Sequence, residues 1–135
     1  MVEQDDFSDN LKVQAGTKLE GFVASEVSEK YGVKLVKQNM LLQHPDHQFM
    51  IANVDRNMPK FPEIGVEIKV VFPYSEKQWG EPDSDQVPLY YYAQVQHYMA
   101  INGKSEYWIT PYFMSKGEVS RYVIKMNEEF IDQMI

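Results

Sequence analysis

The sequence predicts a mixed α/β (α+β) fold in which helices pack against a mixed central sheet. Apolar residues recur every three to four positions between Ala15 and Tyr31, which is typical of an amphipathic helix. The run Ile64 to Phe72 is rich in β-branched residues and is typical of a strand. The patterns follow the order helix, three strands, helix, two strands and helix. Strands grouped between helices favour layers of helix and sheet.

The first half of the chain supplies a helix and then three strands. The helix carries Leu19, Val23 and Val27 on one stripe and ends at Gly32. The predicted strands span Val33 to Leu42, Phe49 to Arg56 and Ile64 to Phe72. Because the links between them are short, at least the last pair is expected to be antiparallel.

The second half begins with a long polar loop over residues 73 to 85, in which Trp79 is expected to be exposed and functional. A helix follows, with Asp85 as its N-cap and a stop at Asn102 and Gly103. A hairpin and a short helix capped by Asn127 complete the chain, over Glu106 to Met114, Val119 to Met126 and Glu128 to Ile135.

Composition places the chain among single globular domains. Of its 135 residues 44% are hydrophobic and 13% aromatic, so residues 1–135 are expected to form one domain, with a loose terminus over 1–14. The absence of cysteine excludes disulfides, thiolate zinc sites and cysteine nucleophiles. No apolar run approaches the roughly 20 residues that span a bilayer, so a soluble, cytoplasmic protein is expected.

The net charge of −7 bears on the partners of the protein. An acidic surface repels phosphate groups at long range, which weighs against an extended basic face for nucleic acid. It does not exclude a nuclease, because metal-binding carboxylates count towards the charge until divalent cations neutralise them.

Asp55 and Glu67 are acidic residues embedded in the apolar stretches of neighbouring predicted strands. Lys69 follows Glu67 by two positions, so both side chains point to the same face of their strand. Two carboxylates and the carbonyl of Ile68 would make an oxygen-rich site, which suits Mg²⁺ or Mn²⁺ and not zinc. Glu20, on the first helix, is a candidate third carboxylate.

The second helix presents Gln94 and Tyr98 one turn apart on its inner face, where both can line the same site. A lysine beside a bound metal can orient the attacking water or offset developing charge. Lys69 is therefore the candidate catalytic cation.

Other interpretations of these residues stay open. Glu67 and Lys69 could form a surface ion pair on a half-exposed edge strand. A zinc hydrolase could use a second set of residues, although a turn lacks the spacing of helical ligands: His44, Asp46, His47 and His97. The run Tyr90 to Tyr92 fits core and interface packing better than base stacking.

The candidate residues resemble, in order and spacing, the PD-(D/E)XK nuclease superfamily, although Val54 replaces the proline of that motif. More specifically, the chain resembles the phage lambda exonuclease family, also called YqaJ-like viral recombinases. The matching positions are Gly16-x-x-Leu19-Glu20, Ile51-Ala52-Asn53-Val54-Asp55, Val66-Glu67-Ile68-Lys69, Trp79-Gly80 and Val87-Pro88-x-x-Tyr91-x-x-Gln94-Val95-Gln96-x-Tyr98-Met99.

The resemblance implies a restriction-endonuclease-like core and an Mg²⁺-dependent exonuclease that degrades one strand of duplex DNA from the 5′ end. The 3′ overhang would feed a phage single-strand annealing protein, and the subunits could form a trimeric ring around DNA. By the same resemblance each candidate residue receives a role. Asp55, Glu67 and the Ile68 carbonyl bind metal with help from Glu20, Lys69 and Gln94 position the water, and Tyr98 and Trp79 are candidate substrate contacts.

The resemblance has one departure before the first helix. Relatives carry a segment there with an arginine and a serine-bearing motif that hold the 5′ phosphate, whereas the roughly fifteen residues here contain no arginine. The domain is therefore expected to lack much of that segment. A catalytically impaired module that binds DNA ends or protein is the alternative function.

Overall fold

The structure is a computed structural model that describes residues 18–37 and 56–134, together with the backbone of 41–43 and 51–53. The predicted loose terminus, Asp55 and three of the four candidate zinc ligands lie outside these residues. Residues 18–31 form helix α1. The other elements are β1 (Val36–Lys37), β2 (Leu41–Gln43), β3 (Ile51–Asn53), β4 (Arg56–Met58), β5 (Phe61–Val71), a 3₁₀ helix (Pro73–Gln78), α2 (Leu89–Asn102), β6 (Glu106–Phe113), β7 (Glu118–Val119), β8 (Tyr122–Lys125) and α3 (Glu128–Met134).

The main sheet has β5 near its centre. Its strands lie in the order β1, β4, β5, β6 and β7, and β8 pairs with β6 beside β7. β4 and β5 are antiparallel, as predicted, whereas β5 and β6 are parallel. Parallel neighbours need a crossover connection, and the 3₁₀ helix with α2 supplies it. The predicted mixed α/β fold is confirmed.

Two of the predicted strands are wrong as single elements. The stretch predicted as Val33 to Leu42 contains β1 and β2, and the stretch predicted as Phe49 to Arg56 contains β3 and the start of β4. β1 pairs with β4 in the main sheet, while β2 pairs with β3 in a separate sheet that contacts α2. Alternation of apolar residues predicts that a segment is a strand, but it does not predict which strand the segment pairs with. It therefore cannot show that one apolar segment pairs with two different strands.

The two helices cover opposite faces of β5. Side chains alternate along a strand, so Ile68 packs with Val23 and Val27 of α1. Val71, which points the other way, packs with Val95 of α2. The odd-numbered residues of β5 therefore face α2, and the even-numbered residues face α1.

Helix α1 ends as the sequence predicts, because Gly32 follows it at a φ of 64°. α2 also ends as predicted, at a left-handed Gly103 whose N–H donates to the Met99 carbonyl. Its predicted start is wrong: Pro88, and not Asp85, is the N-cap. Residues 85–87 belong to a turn in which the Val87 N–H donates to the Asp85 carbonyl.

The predicted exposure of Trp79 is also wrong, because the indole is 8% exposed. The chain after the 3₁₀ helix folds back instead of projecting as a loop. Gly80 donates its N–H to the Gln86 carbonyl at 2.8 Å, and the Tyr122 hydroxyl donates to the Gly80 carbonyl at 2.7 Å. These bonds press Trp79 against the rings of Tyr122 and Phe113.

The C-terminal elements follow the predicted hairpin, except that the strand predicted over Val119 to Met126 is divided into β7 and β8. β7 and β8 are both antiparallel to β6. The turn after β6 contains Gly117 at a φ of 63°, a left-handed conformation that favours glycine. The Phe130 N–H donates to Asn127 Oδ1 at 3.0 Å, which confirms the predicted cap of α3. In the described residues no helix is long and apolar enough to cross a membrane.

Candidate active site

Glu67 and Lys69 form a close ion pair on the α2 face of β5. The Lys69 Nζ lies 3.2 Å from Glu67 Oε1, and the side chains are 19% and 7% exposed respectively. Since β5 is hydrogen-bonded to β4 on one side and β6 on the other, the interpretation as an edge strand is wrong. Glu67 is buried and Lys69 is partly buried, and charge–charge interactions are stronger there than in water.

The backbone beneath the pair is held by β6. The register places Glu67 opposite Ile109 and Lys69 opposite Pro111. The buried Thr110 hydroxyl donates to the Glu67 carbonyl at 3.1 Å. This contact adds a side-chain hydrogen bond to the parallel ladder at the position that carries the carboxylate.

Tyr91 completes the surroundings of the ammonium. The Lys69 Nζ lies 4.6 Å from the centroid of the Tyr91 ring, within the range of a cation–π contact. Lys69 is thus placed between a carboxylate and an aromatic ring. Tyr91 is among the family-matching positions of the sequence, but no role was predicted for it, because nothing in the spacing links a helix tyrosine to a strand lysine.

Gln94 lies one turn after Tyr91 on α2. Its Oε1 is buried and has no hydrogen-bond partner in the described part of the chain. Such groups are rare in native proteins and call for a specific partner. The side chain therefore agrees with the predicted role of Gln94 in holding a water or a substrate group.

Asn57 is a residue that the sequence reasoning missed. It is the register partner of Gly65, so its side chain shares the α2 face with Glu67. Its Oδ1 is also buried without a hydrogen-bond partner among the residues described. The sequence pattern placed Asn57 in the connection after the strand predicted over Phe49 to Arg56, where no periodic signal applies, so only the register identifies it.

The structure places Glu20 apart from this face. Its Oε1 lies 2.9 Å from Nη1 of Arg56, whose side chain is 8% exposed. Arg56 is the register partner of Val66, which points towards α1. The Glu20–Arg56 pair therefore lies on the face of the sheet opposite Glu67, and a metal-binding role for Glu20 stays a prediction.

The other predicted site residues are less directly placed. Asp55 lies outside the described residues and directly precedes Arg56 in the chain. The Ile68 side chain packs under α1. The ring of Tyr98 contacts that of Tyr107 at 5.9 Å. Trp79 contacts Tyr91, with ring centroids 5.7 Å apart, and so adjoins the site through that tyrosine.

The donors on the α2 face are oxygen atoms. Glu67 contributes a carboxylate, and Asn57 and Gln94 contribute amide oxygens that have no hydrogen-bond partner within the described ranges. Such donors fit Mg²⁺ or Mn²⁺ and do not fit zinc. Across the residues that the structure describes, no group of three His, Asp or Glu side chains could hold a metal. The described face therefore fits part of a hard-cation site, with one carboxylate.

Comparison with known proteins identifies the family. The model of the YqaJ-like viral recombinase domain matches residues 1–105. The chain belongs to this family. This YqaJ-like domain is 35% identical over 88 residues to the uncharacterized protein YqaJ of Bacillus subtilis (strain 168), which covers 65% of the chain and 26% of that protein. The suspected resemblance is therefore confirmed.

Solved structures share the fold of the YqaJ-like domain. The alkaline exonuclease LHK-Exo of Laribacter hongkongensis matches at a TM-score of 0.69 and 19% identity, over 90% of this chain and 61% of that one. Its complex with dAMP matches at 0.69 over 89% and 60%. A phage-related exonuclease of Haemophilus somnus 129PT matches at 0.63 and 14% identity, over 89% and 64%. The domain thus spans about a quarter of the YqaJ protein and three fifths of these nucleases, whose restriction-endonuclease-like core it shares.

Proposed function

We propose that the domain is a metal-dependent nuclease that hydrolyses phosphodiester bonds at the ends of duplex DNA. The observation that carries this proposal is the ion pair between the partly buried Lys69 and the buried Glu67, in which Lys69 Nζ lies 3.2 Å from Glu67 Oε1. The pair stands at the family-matching positions of β5. The structural neighbours LHK-Exo and the phage-related exonuclease support the same chemistry.

In the proposed mechanism the carboxylates of Asp55 and Glu67 and the carbonyl of Ile68 would hold Mg²⁺ or Mn²⁺. The family resemblance adds Glu20 as a further candidate, although it pairs with Arg56 on the opposite face of the sheet. When bound, such an ion polarises the phosphoryl oxygens and lowers the pKa of a coordinated water. Lys69 orients the attacking water and offsets the negative charge that develops on the phosphoryl oxygens. Tyr91 limits the directions in which the Lys69 side chain can point.

Gln94 positions the same water through its amide oxygen, which accepts no hydrogen bond from the residues that the structure describes. Hydrolysis then adds the water oxygen to phosphorus and breaks one phosphorus–oxygen ester bond. The departing oxygen receives a proton, so each cleavage consumes one water and leaves one phosphate and one hydroxyl terminus. In this scheme Lys69 and Gln94 bind and orient, while the reacting oxygen comes from water.

The finer properties follow the family resemblance. We propose digestion in the 5′ to 3′ direction, a phage single-strand annealing protein as the recipient of the overhang, a trimeric ring and a location in the bacterial cytoplasm. The structure of LHK-Exo in complex with dAMP supports the proposal that a nucleotide binds to this fold. Divalent cations would offset part of the net charge of −7 when DNA binds.

The test incubates the purified protein with linear duplex DNA, with and without a 5′ phosphate, in Mg²⁺, in Mn²⁺ and with a chelator. Labels on the 5′ and 3′ ends of each strand report the direction. We expect metal-dependent release of nucleotides from the 5′ end, which Glu67→Ala abolishes without loss of the folded state. If the wild type is inert while calorimetry still detects metal binding, the protein is a binding module and the proposal is wrong.

A further inference from the structure

A cavity of about 400 Å³ opens where β5 ends, between the 3₁₀ helix and the start of α2. Phe72 and Tyr74 line it from the β5 side, and Tyr90 and Tyr91 line it from the helix. Its volume falls within the roughly 300–1,000 Å³ typical of small-ligand sites. The site proposed above does not use this cavity.

The aromatic rings at its rim are unusually exposed. Tyr74 is 77% exposed, Tyr90 is 74% exposed and Phe72 is 49% exposed. Phe72 and Tyr74 are stacked, with an interplanar angle of 1° and centroids 5.9 Å apart. Exposed apolar residues that are scattered singly over a surface are normal. Several exposed aromatic rings around one cavity are instead typical of a binding site.

One side chain, that of Tyr91, borders both the cavity and the candidate active site. Tyr91 lines the cavity, and its ring is the one that Lys69 Nζ approaches to 4.6 Å. Tyr90 contacts Tyr91 edge to face, with centroids 5.6 Å apart. A chain of aromatic contacts therefore leads from the catalytic lysine to the rim.

We propose that this cavity binds the unpaired nucleobases of a DNA end next to the point of cleavage. Bases present flat π-faces that stack on tyrosine and phenylalanine without regard to sequence. Of the described residues that line the cavity, none is charged, so a base enters without the repulsion that the acidic surface imposes on phosphates. Ser75 and Gln78, also in the lining, offer hydrogen-bonding groups to base edges. This inference rests on the proposed function.

The test measures binding of short single-stranded oligonucleotides with a terminal 2-aminopurine, in chelator so that cleavage cannot occur. Stacking quenches this fluorophore. We expect quenching with the wild type, and roughly ten-fold weaker binding for Tyr74→Ala and Tyr90→Ala, the order of one lost base–aromatic stack. Leu89→Ala is the matched control, since Leu89 is 72% exposed beside Tyr90 but does not line the cavity. Tyr74→Phe should retain the quenching.

A second oligonucleotide, with abasic residues at its end, separates stacking from attraction to the phosphates. Equal binding of both oligonucleotides, or unchanged binding by Tyr74→Ala and Tyr90→Ala, overturns the inference. So does a shift of oligomeric state in these variants without loss of quenching, because the face would then be an interface between copies. Quenching by a wild type that cleaves no DNA refutes the nuclease and keeps the base site, whereas cleavage without quenching does the reverse.

Discussion

The ammonium of Lys69 lies 4.6 Å from the centre of the Tyr91 ring and 3.2 Å from the Glu67 carboxylate. Tyr91 is itself packed against Trp79, which is buried in the core of the α2 face. The position of the candidate catalytic cation is therefore coupled to core packing. This relationship explains how a buried tryptophan can influence a site that it does not enter.

We predict that Tyr91→Leu lowers kcat while Tyr91→Phe retains it. A cation–π contact of this kind contributes roughly 0.5–2 kcal/mol, which corresponds to about a 2- to 30-fold change in rate. Nuclease assays at saturating DNA check this, with thermal unfolding to confirm that both variants fold. Because Tyr91 positions Lys69 and also lines the cavity, KM is measured separately. If Tyr91→Phe lost as much kcat as Tyr91→Leu, the contact between the ring face and the Lys69 ammonium would not be the cause of the loss.

Gly65 is needed because the Tyr107 ring lies across it. A Cβ added at Gly65 would meet the ring atoms of Tyr107 at 2.4 to 2.8 Å. The ring is fully buried, and its hydroxyl accepts a hydrogen bond from Asn102 Nδ2 at 2.8 Å. We predict that Gly65→Ala destabilises the domain by about 1–3 kcal/mol through overpacking.

The matched control for that substitution is Gly21→Ala in α1. An added Cβ there meets nothing within 4 Å, so alanine should stabilise the helix by roughly 0.5–1 kcal/mol. Urea unfolding of the two variants checks both values. A Gly65→Ala variant as stable as wild type would mean that the register of β5 and β6 is not as described.

Glu20 is expected to act on stability more than on metal binding. It pairs with Arg56 on the α1 face, so Glu20→Gln should lower the unfolding temperature and leave the affinity for Mn²⁺ unchanged. Glu29→Gln, an exposed change on the same helix, should change neither quantity. Calorimetry measures the Mn²⁺ affinity of the two variants and of the wild type. A loss of Mn²⁺ affinity specific to Glu20→Gln would support the metal-binding role implied by the family resemblance.

The domain should lose stability in alkaline solution. Burial, followed by the charge of Glu81 and then Tyr31, raises the pKa of Tyr122 above its usual 10.0. Burial likewise raises the pKa of Tyr31. Below pH 10 both tyrosines are protonated in either state and their contribution is constant. Above that pH the unfolded chain loses protons that the folded protein keeps, so the free energy of unfolding falls as pH rises.

Tyr122→Phe tests this cause. It removes the hydrogen bond to the Gly80 carbonyl, at a cost of about 1 kcal/mol near neutral pH. Its alkaline loss should be shallower than that of wild type, with the contribution of Tyr31 left. Denaturant titrations between pH 7 and 11 check the slope, and parallel curves would contradict the assignment to Tyr122.

Local sequence patterns predicted individual helices and their ends better than they predicted which strands pair with each other. The stripe of α1, its end at Gly32 and the cap at Asn127 are determined by neighbours in sequence, and the structure shows all three. The division of the early strands between two sheets depends on which distant strand each segment meets. No window of sequence contains that information.

The same difference separates the predicted and the missed site residues. Glu67 and Lys69 share a face because strand geometry requires it, and the structure confirms this placement. Asn57 and Tyr91 join them only through strand register and helix packing, which single-sequence patterns do not report. A Cβ added at Gly80 would meet the Gln86 side chain at 2.1 Å, a contact that is visible only after folding.

The proposed nuclease activity depends on the Glu67–Lys69 pair. A comparison of two lysine variants tests this dependence most directly. Lys69→Ala and Lys77→Ala are assayed for nucleotide release from 5′-phosphorylated duplex DNA in Mg²⁺. Lys77 is an exposed cation of the 3₁₀ helix, so its loss controls for general attraction to DNA. We predict that Lys69→Ala loses at least 100-fold in rate, on the scale of general acid–base groups, while Lys77→Ala stays within a few-fold of wild type. A folded Lys69→Ala that cleaves as fast as Lys77→Ala would contradict the account.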